Sequence, residues 1–142
     1  MKALVKTKKG IGHLELINVD EPQPKEDEVK IKVEYAGICG TDIHIYYDEF
    51  PTVPPITLGH EFSGTIVDIG EKVTHYKIGD KVVAENSWSS CGVCSLCRKG
   101  RDTLCRKRIC VGVSQNGVFA KYVLYREHCI PVSYTHLTLP TN

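Results

Sequence analysis

Cys91, Cys94, Cys97 and Cys105 follow one another as Cys-x2-Cys-x2-Cys-x7-Cys, and no other feature limits the fold of this chain as tightly. The chain carries seven cysteines in 142 residues. Its opening Met1-Lys2-Ala3-Leu4-Val5-Lys6 lacks the long apolar stretch of a signal peptide, so a reducing, cytoplasmic setting is expected. Disulfides are rare there, and an odd cysteine count argues further against full pairing. Four thiolates at these separations can close a tetrahedron around zinc with Zn–S distances of ~2.3 Å. An iron–sulfur cluster is the competing metal reading, and unligated cysteines are the plain one. A closed set of four sulfurs leaves no position for water or substrate, so such a metal folds a loop and performs no chemistry.

A tetrathiolate zinc bears net negative charge, and Arg98, Lys99, Arg101, Arg106, Lys107 and Arg108 are placed to offset it. The same residues admit another reading, a zinc-ribbon-like module that grips nucleic acid. Two features favour charge compensation instead. No aromatic residues interleave with the basic ones, and the whole chain has a net charge of only +1. No run approaches the roughly 18 apolar residues of a membrane span, so neither nucleic acid nor membrane is expected as a partner.

A second donor set has the opposite character. His60 and Glu61 are adjacent in Gly59-His60-Glu61-Phe62-Ser63-Gly64, and Cys39 lies upstream in Gly37-Ile38-Cys39-Gly40-Thr41-Asp42-Ile43-His44. One thiolate, one neutral imidazole and one carboxylate balance the charge of Zn²⁺ and leave a position open, as a catalytic site requires. The bland alternative is a buried cysteine and an unrelated surface His-Glu pair.

The rest of the chain reads as short strands. Met1 to Thr7, His13 to Val19 and Phe119 to Tyr125 have strand character, as do Gly64 to Ile69, Gly70 to Val73 and Ile78 to Ala84. In Glu28 to Ala36, Val29, Ile31, Val33 and Tyr35 alternate with Lys30, Lys32 and Glu34, the period of two that buries one face. A short helix is expected after Cys39, capped by Thr41 or Asp42. The run Phe50-Pro51-Thr52-Val53-Pro54-Pro55 must be a loop. Lys8-Lys9-Gly10-Ile11-Gly12 holds a Gly-x-Gly, but a strand follows it and no third glycine appears, so it is no dinucleotide fingerprint. Many strands and almost no helix imply a mainly β (α+β) domain, a small, partly open barrel with a cysteine lobe.

Ala36-Gly37-Ile38-Cys39-Gly40-Thr41-Asp42-Ile43-His44, Gly59-His60-Glu61-Phe62-Ser63-Gly64, Gly79-Asp80-Lys81-Val82 and the four-cysteine lobe occur in this order. Together they resemble the N-terminal part of the zinc-containing medium-chain alcohol dehydrogenases, over Met1 to about Val132. The branch it most resembles holds L-threonine 3-dehydrogenase and the sorbitol (L-iditol) dehydrogenases. Cys97-Arg98-Lys99-Gly100-Arg101, Gly112-Val113 and Gly117-Val118-Phe119-Ala120-Lys121-Tyr122 look most like the threonine enzyme.

The resemblance implies a GroES-like fold over residues 1–132, a small alcohol as substrate, NAD(P) as cofactor and a homo-oligomer when full length. It implies two zinc ions: a catalytic one on Cys39, His60 and Glu61, the last as ligand or neighbour, and a structural one on Cys91, Cys94, Cys97 and Cys105. Asp42 would orient the ligand histidine, Thr41 would touch the substrate oxygen, and His44 would pass the proton to solvent. The third reading, a reductase of the same superfamily without its catalytic metal, is disfavoured because Cys39, His60 and Glu61 are all present.

A nucleotide-binding Rossmann unit needs a strand–Gly-x-Gly-x-x-Gly–helix segment, and none occurs in the sequence. The expectation is a truncated first portion that binds zinc and does not turn over alone. Ser133 to Asn142 departs from the family pattern and reads as a foreign or out-of-frame tail. Cys110 and Cys129 read as small core residues. His13, His75, His128 and His136 read as surface or loop residues. Trp88, Tyr46 and Tyr47 are assigned equally to a cleft wall or to packing.

Overall fold

The backbone of the domain is one long antiparallel pair. In the computed structural model, which describes residues 1–130, β3 (Glu28–Gly37) lies against β5 (Glu61–Ile69). On the outer side of β3 runs β9 (Tyr122–Arg126), and beyond β5 sits the two-residue β6 (Lys81–Val82). A second sheet places β1 (Lys2–Lys6) between β2 (Leu14–Asn18) and β4 (Ile56–Thr57). The third is the short pair β7 (Ser87–Ser89) and β8 (Ile109–Cys110). The single α-helix among the described residues, α1 (Gly40–Tyr46), joins β3 to the loop before β4. This is the mainly β, partly open architecture expected.

Val29, Ile31 and Ile66, all fully buried, form the main core with Val82, Trp88, Val111, Val118, Val123 and Tyr125. Each such aliphatic side chain contributes about 1.5–3 kcal/mol by leaving water. A smaller cluster of Ile45, Ile56 and Leu58, with Leu14, Val113 and Phe119 packed against it, anchors α1. A helix of seven residues does not stand alone in water. Buried Ile45 ties it to the sheets, and the ends are closed by hydrogen bonds described below.

The structure departs from the sequence reading in four places. The expected alternation of β3 is not observed: Glu28, Val29, Lys30 and Ile31 are all buried, so both faces are covered there, while Val33 is half-buried and Tyr35 is 76% exposed. Register shifts after Lys30 and after Val33 re-aim the side chains, and the strand then runs beyond the core toward solvent. Gly70 to Val73 is a turn, because the Gly70 and Lys72 N–H groups donate to Glu28 and Glu26 carbonyls across a bend and not along a ladder. Only Lys81–Val82 of the Ile78 to Ala84 stretch pairs as a strand. Finally, the N-cap of α1 is Cys39, with Asp42 reaching back to it from the first turn. The reading of Ser133 to Asn142 as a foreign tail, and that of His136, lie outside the described residues.

Candidate metal centres

The final pair of the β3–β5 ladder, Gly37 opposite Glu61, determines where the open donor set forms. Two residues beyond Gly37 the chain reaches Cys39, and one residue before Glu61 stands His60, so both strand ends deliver donors to one place. The Glu61 carboxylate folds over Gly37, close enough that a Cβ there would lie 3.1 Å from Oε2. One donor atom each from Cys39, His60 and Glu61 lie within 4.8 Å of one another. His60 is buried, Cys39 half-buried and Glu61 exposed, so the cluster sits at the surface end of a buried wall.

Asp42 knits this wall together. It is only 5% exposed, yet both carboxylate oxygens are engaged. Oδ2 accepts the Cys39 N–H at 2.9 Å, and Oδ1 accepts the Gly59 N–H at 3.2 Å. The same Oδ1 stands 3.8 Å from Nδ1 of His60, a buried nitrogen with no hydrogen-bond partner among the described residues. A neutral imidazole whose Nδ1 faces a carboxylate keeps Nε2 free as the donor nitrogen. Thr41, in the first turn of α1, has its hydroxyl 3.8 Å from the Cys39 sulfur.

Gly59 enables the turn into His60. Its φ of +87° lies in the left-handed region that glycine tolerates, and a Cβ would strike the Phe119 ring at 2.5 Å. The Val118 N–H donates to the Gly59 carbonyl at 3.0 Å, and a Cβ on Gly117 would fall 2.1 Å from that oxygen. The segment before His60 is therefore clamped backbone to backbone against residues 117–119. Sequence reading took Gly117 and Val118 from family likeness and placed Phe119 at the start of a strand that begins only at Tyr122. A hint was present in the spacing of Gly112 and Gly117 before an apolar run.

The cysteine lobe is built differently. Cys91, Cys94, Cys97 and Cys105 bring their sulfurs within 4.8 Å of one another, and none forms a disulfide. Two short 3₁₀ turns, Cys97–Lys99 and Asp102–Leu104, shape the lobe, and neither buries a residue. The Cys94 sulfur lies 3.4 Å from Cys97 and 4.0 Å from Cys105, and it accepts the Cys97 N–H at 3.5 Å. Backbone N–H groups of Val93 and Cys94, with a hydrogen bond from Cys105, pull the Cys91 thiol down to about 6. The N–H and thiol of Cys97 lower Cys94 as well. Against a hydrogen bond from Ser90 that lowers it, burial and the thiols of Cys94 and Cys105 push Cys97 up to about 12. Four sulfurs crowded around shared protons, with amides aimed at them and little apolar burial, suit a thiophilic divalent cation in place of those protons.

The remaining residues take the roles their surroundings allow. Trp88 belongs to the core at 7% exposure, tilted against Tyr125. Tyr46 and Tyr47 are exposed and meet edge to face. Cys129 is buried with its thiol donating to the Trp88 carbonyl, whereas Cys110 is half-buried on β8. Among the described residues His13, His75 and His128 join neither donor group. A cavity of about 460 Å³, lined by Val5, Ile17, Ile56, Asn116 and Tyr122, includes none of the candidate ligands. His44 brought a partner that sequence reading missed: Nδ1 lies 2.7 Å from Oε2 of Glu49.

Residues 25–134 match the alcohol dehydrogenase GroES-like domain. A sorbitol dehydrogenase from Halalkalibacterium halodurans is 50% identical over 130 residues, which is 92% of this chain and 38% of that protein. An L-threonine 3-dehydrogenase from Chelativorans sp. is 47% identical over 132 residues, 90% of this chain and 38% of that protein. Among solved structures, a zinc-binding dehydrogenase from Sinorhizobium meliloti bound to NADP superposes with a TM-score of 0.85 at 40% identity, covering 91% of this chain and 37% of that one. This chain thus spans about 38% of the length of the curated relatives it matches. The chain belongs to the zinc-type medium-chain alcohol dehydrogenase family and contains its GroES-like domain.

Proposed function

We propose that this chain is the zinc-binding portion of a dehydrogenase that oxidises a secondary alcohol to a ketone with NAD(P). The observation that carries the reading is the convergence of Cys39, His60 and Glu61 from two strand ends onto one point, separate from a closed four-cysteine set. The donor chemistry fits zinc in both places: sulfur, nitrogen and oxygen with room for a further ligand in one, sulfur alone in the other. Cys39 and His60 would hold the catalytic ion, with Glu61 as a third ligand or close neighbour. Cys91, Cys94, Cys97 and Cys105 would hold the structural ion. When bound, zinc supplies Lewis acidity that lowers the pKa of an alcohol hydroxyl, and the nicotinamide takes up the hydride.

The chain's own residues would prepare and drain the site. Asp42 holds the Cys39 and Gly59 amides and faces His60, so both ligands are oriented before a metal arrives. Thr41, at the same turn, would hydrogen-bond the substrate oxygen and receive its proton. His44, one turn further along α1, would hand that proton to solvent. Atoms balance simply: the C–H pair leaves as hydride, the O–H proton leaves through the side chains, and a C=O bond remains. The described residues contain no glycine-rich strand–helix turn for a dinucleotide, so no step of cofactor binding is assigned to them. The substrates in view are L-threonine, a polyol or a small diol, in keeping with the sorbitol and threonine relatives.

Metal content tests the reading. The expected outcome is two zinc ions per chain by elemental analysis, one in Cys39→Ser, and no alcohol oxidation by residues 1–142 alone. A metal content unchanged by Cys39→Ser would abolish the open centre and the dehydrogenase assignment with it. One zinc together with salt-sensitive DNA or RNA binding would instead identify a nucleic-acid module.

A further inference from the structure

The far end of α1 carries a second constructed arrangement. Tyr47 caps the helix, and Asp48 follows with φ of +62°, a left-handed conformation that aspartate adopts more readily than most residues. The Asp48 N–H donates to the Ile45 carbonyl at 3.1 Å, and the Glu49 N–H donates to the His44 carbonyl at 2.9 Å. These two bonds form a Schellman closure, which satisfies the last carbonyls of a helix by folding the chain back over it. Here the fold-back sets Glu49 directly over His44, and its Oε2 meets Nδ1 at 2.7 Å. The carboxylate was not drawn there by burial, since both side chains are about 60% exposed. The backbone brings it.

We propose that Glu49 is a positioning residue that fixes the tautomer and ring orientation of His44. The proposal rests on the dehydrogenase reading above and deepens it at the proton exit. A carboxylate accepts only, so the neutral imidazole facing Glu49 carries its proton on Nδ1. Nε2 then presents a lone pair. A proton arriving from the Thr41 side binds Nε2, the imidazolium keeps its Nδ1–H on Glu49, and water removes the proton from Nε2. No ring flip is needed between turnovers. Without Glu49 the side chain samples both tautomers and several rotamers, and only a fraction can accept.

The test uses the zinc-loaded chain with nitrogen-15 histidine, read by NMR above the pH at which imidazole titrates. His44 is assigned from the signal that vanishes in His44→Gln. The wild-type spectrum should show His44 protonated on Nδ1, and Glu49→Ala should shift the tautomer ratio toward Nε2–H by about threefold, the scale of an exposed ion pair. Asp48→Gly keeps Glu49 in place and should leave the ratio as in wild type. A wild-type His44 protonated on Nε2, or a ratio that Glu49→Ala does not move while the amide spectrum and zinc content persist, would overturn the proposal. The dehydrogenase reading fails by a different readout, the absence of zinc at Cys39, so the two failures are distinguishable.

Discussion

Asp42 and Tyr125 are both buried and polar, and they differ in what surrounds them. Asp42 spends its two oxygens on two amide donors and a histidine edge, so its burial is compensated. The Tyr125 hydroxyl has no partner among the described residues, although its ring packs between Phe62 and Trp88. Burial, with the Cys129 thiol beside it, pushes the Tyr125 phenol above its ordinary value. A group whose folded pKa is raised contributes stability below its unfolded pKa and loses it as pH climbs through the folded one. Stability should therefore fall as pH rises past about 10, the ordinary tyrosine value. Cys129, pushed up to about 11 by burial, adds a loss of the same sign that begins nearer the ordinary thiol range. Tyr125→Phe should flatten the tyrosine part of this decline and, by removing an unpaired buried hydroxyl, leave stability at pH 8 equal or higher by about 1 kcal/mol. Urea midpoints from pH 8 to 11 measure both effects.

Among the elements, the clamp between the Gly59 turn and residues 117–119 shows how tightly the open donor set depends on backbone contact. Gly117→Ala would press a methyl into the Gly59 carbonyl, 2.1 Å away, and neither backbone can yield without moving His60. The substitution should cost about 2–3 kcal/mol, as overpacking does, and should weaken zinc at Cys39 before it affects the cysteine lobe. Chemical denaturation and zinc competition on one sample separate the two effects. Such contacts between distant segments explain what the sequence could convey. The cysteine lobe was legible because its four donors fall within one short stretch, where spacing alone implies coordination. The strand character of β3 was legible from its alternating apolar residues, but not that Glu28 and Lys30 are buried beside Val29 and Ile31, and the bulges in its pairing with β5 leave no local mark. Cys39, His60 and Glu61 were grouped from their donor chemistry, but they lie too far apart in sequence for spacing to decide between a site and unrelated residues, and family likeness tipped that choice. Glu49 was invisible because its position depends on one left-handed residue, Asp48, which sequence pattern does not announce.

Seen as a whole, the molecule divides its sulfur-rich lobe from its sheets at a narrow neck. Ser89 lies directly opposite Ile109 as a cross-strand pair, and both 3₁₀ turns of the cysteine lobe fall between them. The lobe is thus an insert closed by its own two-stranded stem. Residues 90–108 could be exchanged for an Asn-Gly hairpin turn, which suits the twist of an antiparallel pair. Such a minimised domain should keep the β3–β5 ladder, retain one zinc at Cys39 and His60, and resist chelators that unravel the parent's lobe, as circular dichroism and elemental analysis would report. Loss of folding on excision would mean that the neck carries strain or support for the sheets, and the cysteine metal would then be a keystone of the fold and not an accessory to it.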